Sequence, residues 1–110
     1  MSRLTTEMMV DAALRQATAT GVFASILRKG DVHAGAVYLE IEKDSSHAKL
    51  MARQLNFDGE YEWFCMTGDE WVAPIQVSEM LAKEVGRDPD CWIISVQDVK
   101  GRNIFELEQL

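Results

Sequence analysis

Cys91-Trp92-Ile93-Ile94-Ser95-Val96 is a short run, apolar at every position but one, bounded by Asp88-Pro89-Asp90 before it and Lys100-Gly101 after it. Apolar side chains on both alternations read as a strand inside a sheet, covered on both faces. The residues upstream place it in the chain. Val77, Met80, Leu81 and Val85 recur at helical spacing, with Glu79 four residues before Lys83, which predicts a helix over about Val77–Arg87. Asp88-Pro89 stops that helix, because proline disfavours a helical residue before itself. A helix feeding an interior strand is a crossover, and right-handed crossovers return a strand to a sheet already begun.

Four sequential strands suggest a meander, and the Cys91 strand is expected to join its free edge beside Val22–Arg28, where Val22, Ala24 and Ile26 alternate with Phe23 and Leu27 and both faces are again apolar. Before it, Val10, Ala13, Leu14 and Ala17 form the stripe of a helix over about 6–20. Thr5 or Thr6 can cap its start and Gly21 its end. After it, Lys29-Gly30-Asp31 begins a turn and Ala36–Lys43 alternates, with Val37, Leu39 and Ile41 inward. Strands about Ala48–Asn56 and Glu60–Met66 follow, joined by Asp58-Gly59, and Pro74 closes the loop beyond them. Lys100-Gly101 turns into a last strand, about Asn103–Leu107. The expected fold is one α+β domain over 1–110, in the order α-β-β-β-β-α-β-β. Its mixed, largely antiparallel sheet has five to six strands, with the two helices on opposite faces.

A two-residue Asp58-Gly59 loop would pair Leu55 with Glu62 and Arg53 with Phe64. Five of the nine aromatic residues, Phe57, Tyr61, Trp63, Phe64 and Trp71, fall in this hairpin and the loop after it. Neither hairpin face is plainly the wet one, so covering one leaves aromatics on the other, as interface anchors among polar neighbours. The competing reading folds Trp71 and its loop back over that face.

Charge narrows the partners. The net charge is −7, with +1 in residues 1–55 and −8 in 56–110. Such a surface repels nucleic acid and anionic membrane, both of which need Lys and Arg. With no apolar leader, no run long enough to span a bilayer and only two cysteines, the chain reads as cytoplasmic. Cys65 and Cys91 are expected to be separate buried thiols. His33 and His47 sit in polar turns without paired ligand spacing, so neither a metal nor another cofactor is expected.

The polar knot Arg87-Asp88-Pro89-Asp90 stands where a helix enters an interior strand, a place where α/β sites form. Its carboxylates could do acid–base work beside Arg28, Asp98 or Arg102; more simply, they end a helix and cap a turn.

Leu4-Thr5-Thr6-Glu7, Leu27-Arg28-Lys29-Gly30-Asp31, Ala34-Gly35-Ala36-Val37 and Arg87-Asp88-Pro89-Asp90-Cys91-Trp92-Ile93-Ile94, with Gln97-Asp98 and Gly101-Arg102, run in register with one bacterial family. The chain resembles the alphaproteobacterial domain of unknown function 1491 (DUF1491) over nearly its whole length. It departs from that pattern at Cys91, where an aliphatic residue is usual, and at Ser95, where an acidic one is usual. The resemblance implies a small cytosolic α/β sandwich-like protein and no assigned activity. Arg28, Asp31, Asp88, Asp90, Asp98 and Arg102 are where a family site would lie. The leading functional expectation is a non-catalytic interaction or regulatory module that binds another protein or itself, including as a homodimer. The alternative is a small hydrolase-like enzyme using Asp88 or Asp90 near Arg28 or Arg102.

Overall fold

The structure, a computed structural model, describes residues 4–107. Helix α1 (Thr6–Thr20) is followed by strands β1 (Phe23–Arg28), β2 (Val37–Asp44), β3 (His47–Leu55) and β4 (Tyr61–Cys65). Helix α2 (Pro74–Arg87), strand β5 (Trp92–Gln97) and a 3-10 turn (Ile104–Glu106) complete the chain. The five strands form one mixed sheet in the order β1-β5-β2-β3-β4. The α+β class is as the sequence implies.

Both helix ends of α1 follow from their residues. Thr5 Oγ1 accepts the Met8 amide at 3.2 Å, and Gly21, at φ 77°, ends the helix in the left-handed conformation. The buried Val10, Ala13 and Ala17 lie on Val37, Leu39 and Ile41 of β2 and on Trp92, Ile94 and Val96 of β5. Helix α2 covers the opposite face, where Val77 and Leu81 meet Ala48, Leu50, Cys91 and Ile93. It starts at Pro74, three residues before the expected Val77: proline needs no amide partner in a first turn and its φ suits a helix. The Gln76 side chain accepts the Ala73 amide there at 3.2 Å.

The departures share a cause. Strand β5 enters between β1 and β2, antiparallel to the first and parallel to the second, so β1 and β2 never pair. They form a split hairpin whose slot β5 fills, bridged by residues 29–36 across a gap of about 10 Å. That leaves β1 at the rim of the sheet rather than inside it, with Phe23 66% and Leu27 58% exposed. With β5 flanked on both sides, the segment after it finds no nearby edge. It forms the 3-10 turn in place of the expected last strand: Asn103 Oδ1 accepts the Phe105 amide at 2.8 Å, and Ile104 is buried beside α1.

Candidate functional site

The six polar candidates fall into two groups, one at each end of β5. At its N-terminal end, the Asp31 amide donates to the Asp90 carbonyl at 2.9 Å and the Trp92 indole N–H donates to the Asp31 carbonyl at 2.8 Å. The Trp92 amide donates to the Ala36 carbonyl at 2.7 Å. Gly30 and Gly35 let the bridge pass this close: a Cβ on Gly35 would stand 2.7 Å from the Asp90 carbonyl oxygen and 2.9 Å from Trp92, and one on Gly30 would overlap both. The Asp31 carboxylate accepts the amides of His33 and Ala34, and Asp88 accepts that of Asp90, so both are turn caps. Arg28 donates from its guanidinium to the Pro89 carbonyl at 2.6 Å. Cys91, fully buried beneath it, is held as a thiol: burial pushes its pKa up, Asp88 adds to this, and Arg28 only partly opposes it.

At the C-terminal end, Asp98 is buried and accepts both Nε and a terminal nitrogen of Arg102, at 2.8 and 3.2 Å, with the amides of Lys100 and Arg102. The Arg102 hydrogen bonds hold its carboxyl well below the usual range, at about 2. The Trp71 ring lies against Gly101, whose φ is 65°, with the Lys49 and Lys43 ammonium groups 4.8 and 5.5 Å from its centroid. A six-residue strand, about 20 Å long, separates the two groups. Arg102 therefore cannot serve Asp88 or Asp90; of the two expected arginines, only Arg28 is beside them.

Two sequence-derived details of the hairpin change. Asn56, not Asp58-Gly59 alone, sets the loop: its side chain accepts the amides of Asp58 and Glu60 at 2.9 and 3.0 Å, and Gly59 sits at φ 80°. The result is a type I turn closed by a glycine bulge. Arg53 then pairs with Trp63 and Ala52 with Phe64, one residue from the expected register, which exchanges the faces of β4. Tyr61 and Trp63 turn to the α1 side, where Trp63 packs on Phe105 with ring centroids 4.9 Å apart. Trp71 is partly buried over Gly101 and the lysines, a contact sequence spacing could not show.

Arg53 was not singled out by the sequence, yet it organises this end of the sheet. Only 8% exposed, it lies with its guanidinium carbon 4.0 Å from the Tyr61 ring centroid and donates to the Met9 sulfur at 3.3 Å. The alternation of β3, with Arg53 between Met51 and Leu55, is the one signal that could have found it. Beyond it the hairpin is open: Phe57 is wholly exposed, Leu55 60%, Tyr61 52% and Phe64 39%. A groove of about 320 Å³ runs beneath, lined by Gln54, Leu55, Asn56, Phe57 and Glu62.

Among the described residues no three His, Cys, Asp or Glu side chains group as metal ligands, and no helix is long and apolar enough to cross a membrane. His47 is exposed and bonded to Asp44 at 2.8 Å, and His33 is exposed in the bridge. Cys65, in β4, is half-buried rather than buried, with its sulfur 3.3 Å from Thr67 Oγ1.

Residues 4–106 match a family described as "Protein of unknown function (DUF1491)". A crystal structure of a DUF1491 family protein from Caulobacter crescentus CB15 is similar, with TM-score 0.81 and 30% identity over 96% of this chain and 97% of that one. An NMR structure of a DUF1491 family protein from the same organism has TM-score 0.80 and 28% identity over 94% of each chain. A solution structure of an A. tumefaciens protein shares the fold, with TM-score 0.74 and 23% identity over 87% of this chain and 86% of that one. Among curated proteins none matches.

Proposed function

The chain belongs to the DUF1491 family, and on that premise we propose that it is a non-catalytic protein-interaction module whose β3–β4 hairpin docks on a partner protein. The observation that carries this is the hairpin tip. Leu55 and Tyr61 on one face of the hairpin, Phe64 on the other and Phe57 at the glycine-bulged turn are all exposed, although folding gains from hiding such side chains. Aromatic anchors with a polar rim are the usual centre of a protein interface. The rim here is acidic, through Asp58, Glu60 and Glu62, so the fitting partner offers an apolar socket edged with Lys or Arg. The Asp31, Asp88 and Asp98 carboxylates at the ends of β5 accept backbone amides, an arrangement suited to anchoring loops rather than to turning over a substrate.

Photo-crosslinking in a native host tests this. A photoreactive residue replacing Phe57 is expected to link to a defined protein, which is absent when the same group replaces Asp90. Linking from position 90 and none from 57 would place the binding surface at the β5 end and overturn the reading.

A further inference from the structure

The other rim of the sheet carries a second, independent signal. Among the described residues, strand β1 has β5 on one side and no strand on the other, so alternate backbone amides and carbonyls point outward. Proteins usually protect such an edge with a lysine, a proline or an inward charge. Here no charged residue lies between Arg15 and Arg28, and Arg28 is turned inward onto Pro89. Phe23, Ile26 and Leu27 are 66%, 39% and 58% exposed along that edge. The one irregularity, a bulge at Leu27 between Ile26 and Arg28, precedes the last pair, Arg28 with Ile93, and leaves Phe23 to Ile26 unshielded.

The order of residues specifies the occupant. Laid antiparallel on a copy of itself about Ser25, the strand places Phe23 opposite Leu27, Ala24 opposite Ile26 and Ser25 opposite Ser25 of the second copy. Apolar residues then meet apolar residues at each position, and the serines, small and able to bond one another, meet at the centre. The charge distribution agrees: this edge lies in the half of the chain with net charge +1, whereas pairing two β4 edges would bring together hairpins from the −8 half. We propose that β1 pairs with β1 of a second copy about a two-fold axis at Ser25, joining two five-stranded sheets into one. This extends the interaction reading to a second surface and leaves the hairpin free for a different partner. A contact of one edge strand is small beside stable interfaces of about 1,200–2,000 Å², so the dimer is weak and concentration-dependent.

Two measurements on the full chain test it. In an antiparallel pair, facing Cα atoms are about 4.5–5.5 Å apart, within the span of a disulfide. Ser25→Cys in a Cys65→Ser background is therefore expected to form a covalent dimer in oxidised glutathione much faster than Glu79→Cys, an exposed site on α2. Equal rates would overturn the pairing. In sedimentation equilibrium the dimer fraction is expected to rise with concentration and to be lost in Leu27→Lys; a Phe23→Lys variant repeats the test should Leu27→Lys fail to fold. A chain monomeric to about 1 mM would overturn the proposal. So would a dimer that Phe57→Asp dissolves and Leu27→Lys does not, which would assign self-association to the hairpin and leave the interaction reading standing.

Discussion

The two ends of β5 and the two rims of the sheet use their residues in opposite ways. At the ends, Asp31, Asp88, Asp98, Arg102 and Trp92 are bound within the molecule. Asp98 accepts four hydrogen bonds from Lys100 and Arg102, and Trp92 reaches across the split hairpin to the Asp31 carbonyl. At the rims, apolar side chains are bound to little or nothing: Phe23 and Leu27 on β1, Leu55 at the end of β3 and Phe57 in the hairpin turn. The segments most recognisable in the sequence, Arg-Lys-Gly-Asp and Arg-Asp-Pro-Asp-Cys-Trp, are therefore those that lock β5 into its slot. Distinctive polar residues here mark a difficult piece of folding, and plain apolar ones mark the surface left open to water.

The sharpest way to break this division is at the slot. Gly30→Ala puts a methyl group into the Asp90 carbonyl and the Trp92 ring, so the bridge and β5 cannot both keep their places. The expected loss is about 3 kcal/mol or more in urea unfolding, among the larger effects of a single methyl group. A variant of unchanged stability would mean that the bridge does not clamp β5.

Asp98→Asn should act at the other end, by less. It removes the charge that Arg102 and two amides hold, at a cost of about 1–2 kcal/mol near neutral pH. The sign of the pH dependence follows from the lowered pKa. Its carboxyl titrates near 2 when folded against 3.8 as its ordinary value, so its contribution is fully present above about pH 4 and fades as pH falls towards about 2. The difference between wild type and Asp98→Asn should therefore narrow over that window. A constant difference down to pH 2 would contradict the charged contact.

Much of the fold was legible because local signals agreed. Thr5 and Gly21 bracketed α1, and the alternation of Val37, Leu39 and Ile41 fixed the inward face of β2. What sequence could not show was where a strand finds its neighbours. Val22–Arg28 reads as interior because both its faces are apolar, but a rim strand with an open edge can have the same pattern. Asp58-Gly59 announced a hairpin, while Asn56, two residues earlier, decided its register. Of the polar candidates, Arg28, Asp31, Asp88 and Asp90 do come together, and Asp98 with Arg102 forms the other group. Their separation by the length of β5 depends on a sheet order that no spacing reveals.

The division between ends and rims is tested most directly by the smallest effect it implies. Leu55→Ser with Phe57→Ser removes two large apolar side chains that touch water in the monomer. At protein concentrations of a few micromolar, the unfolding free energy should stay within about 0.5 kcal/mol of wild type per substitution. A loss of about 3 kcal/mol or more, comparable with that of Gly30→Ala, would show that the hairpin tip holds the fold, and would contradict the account.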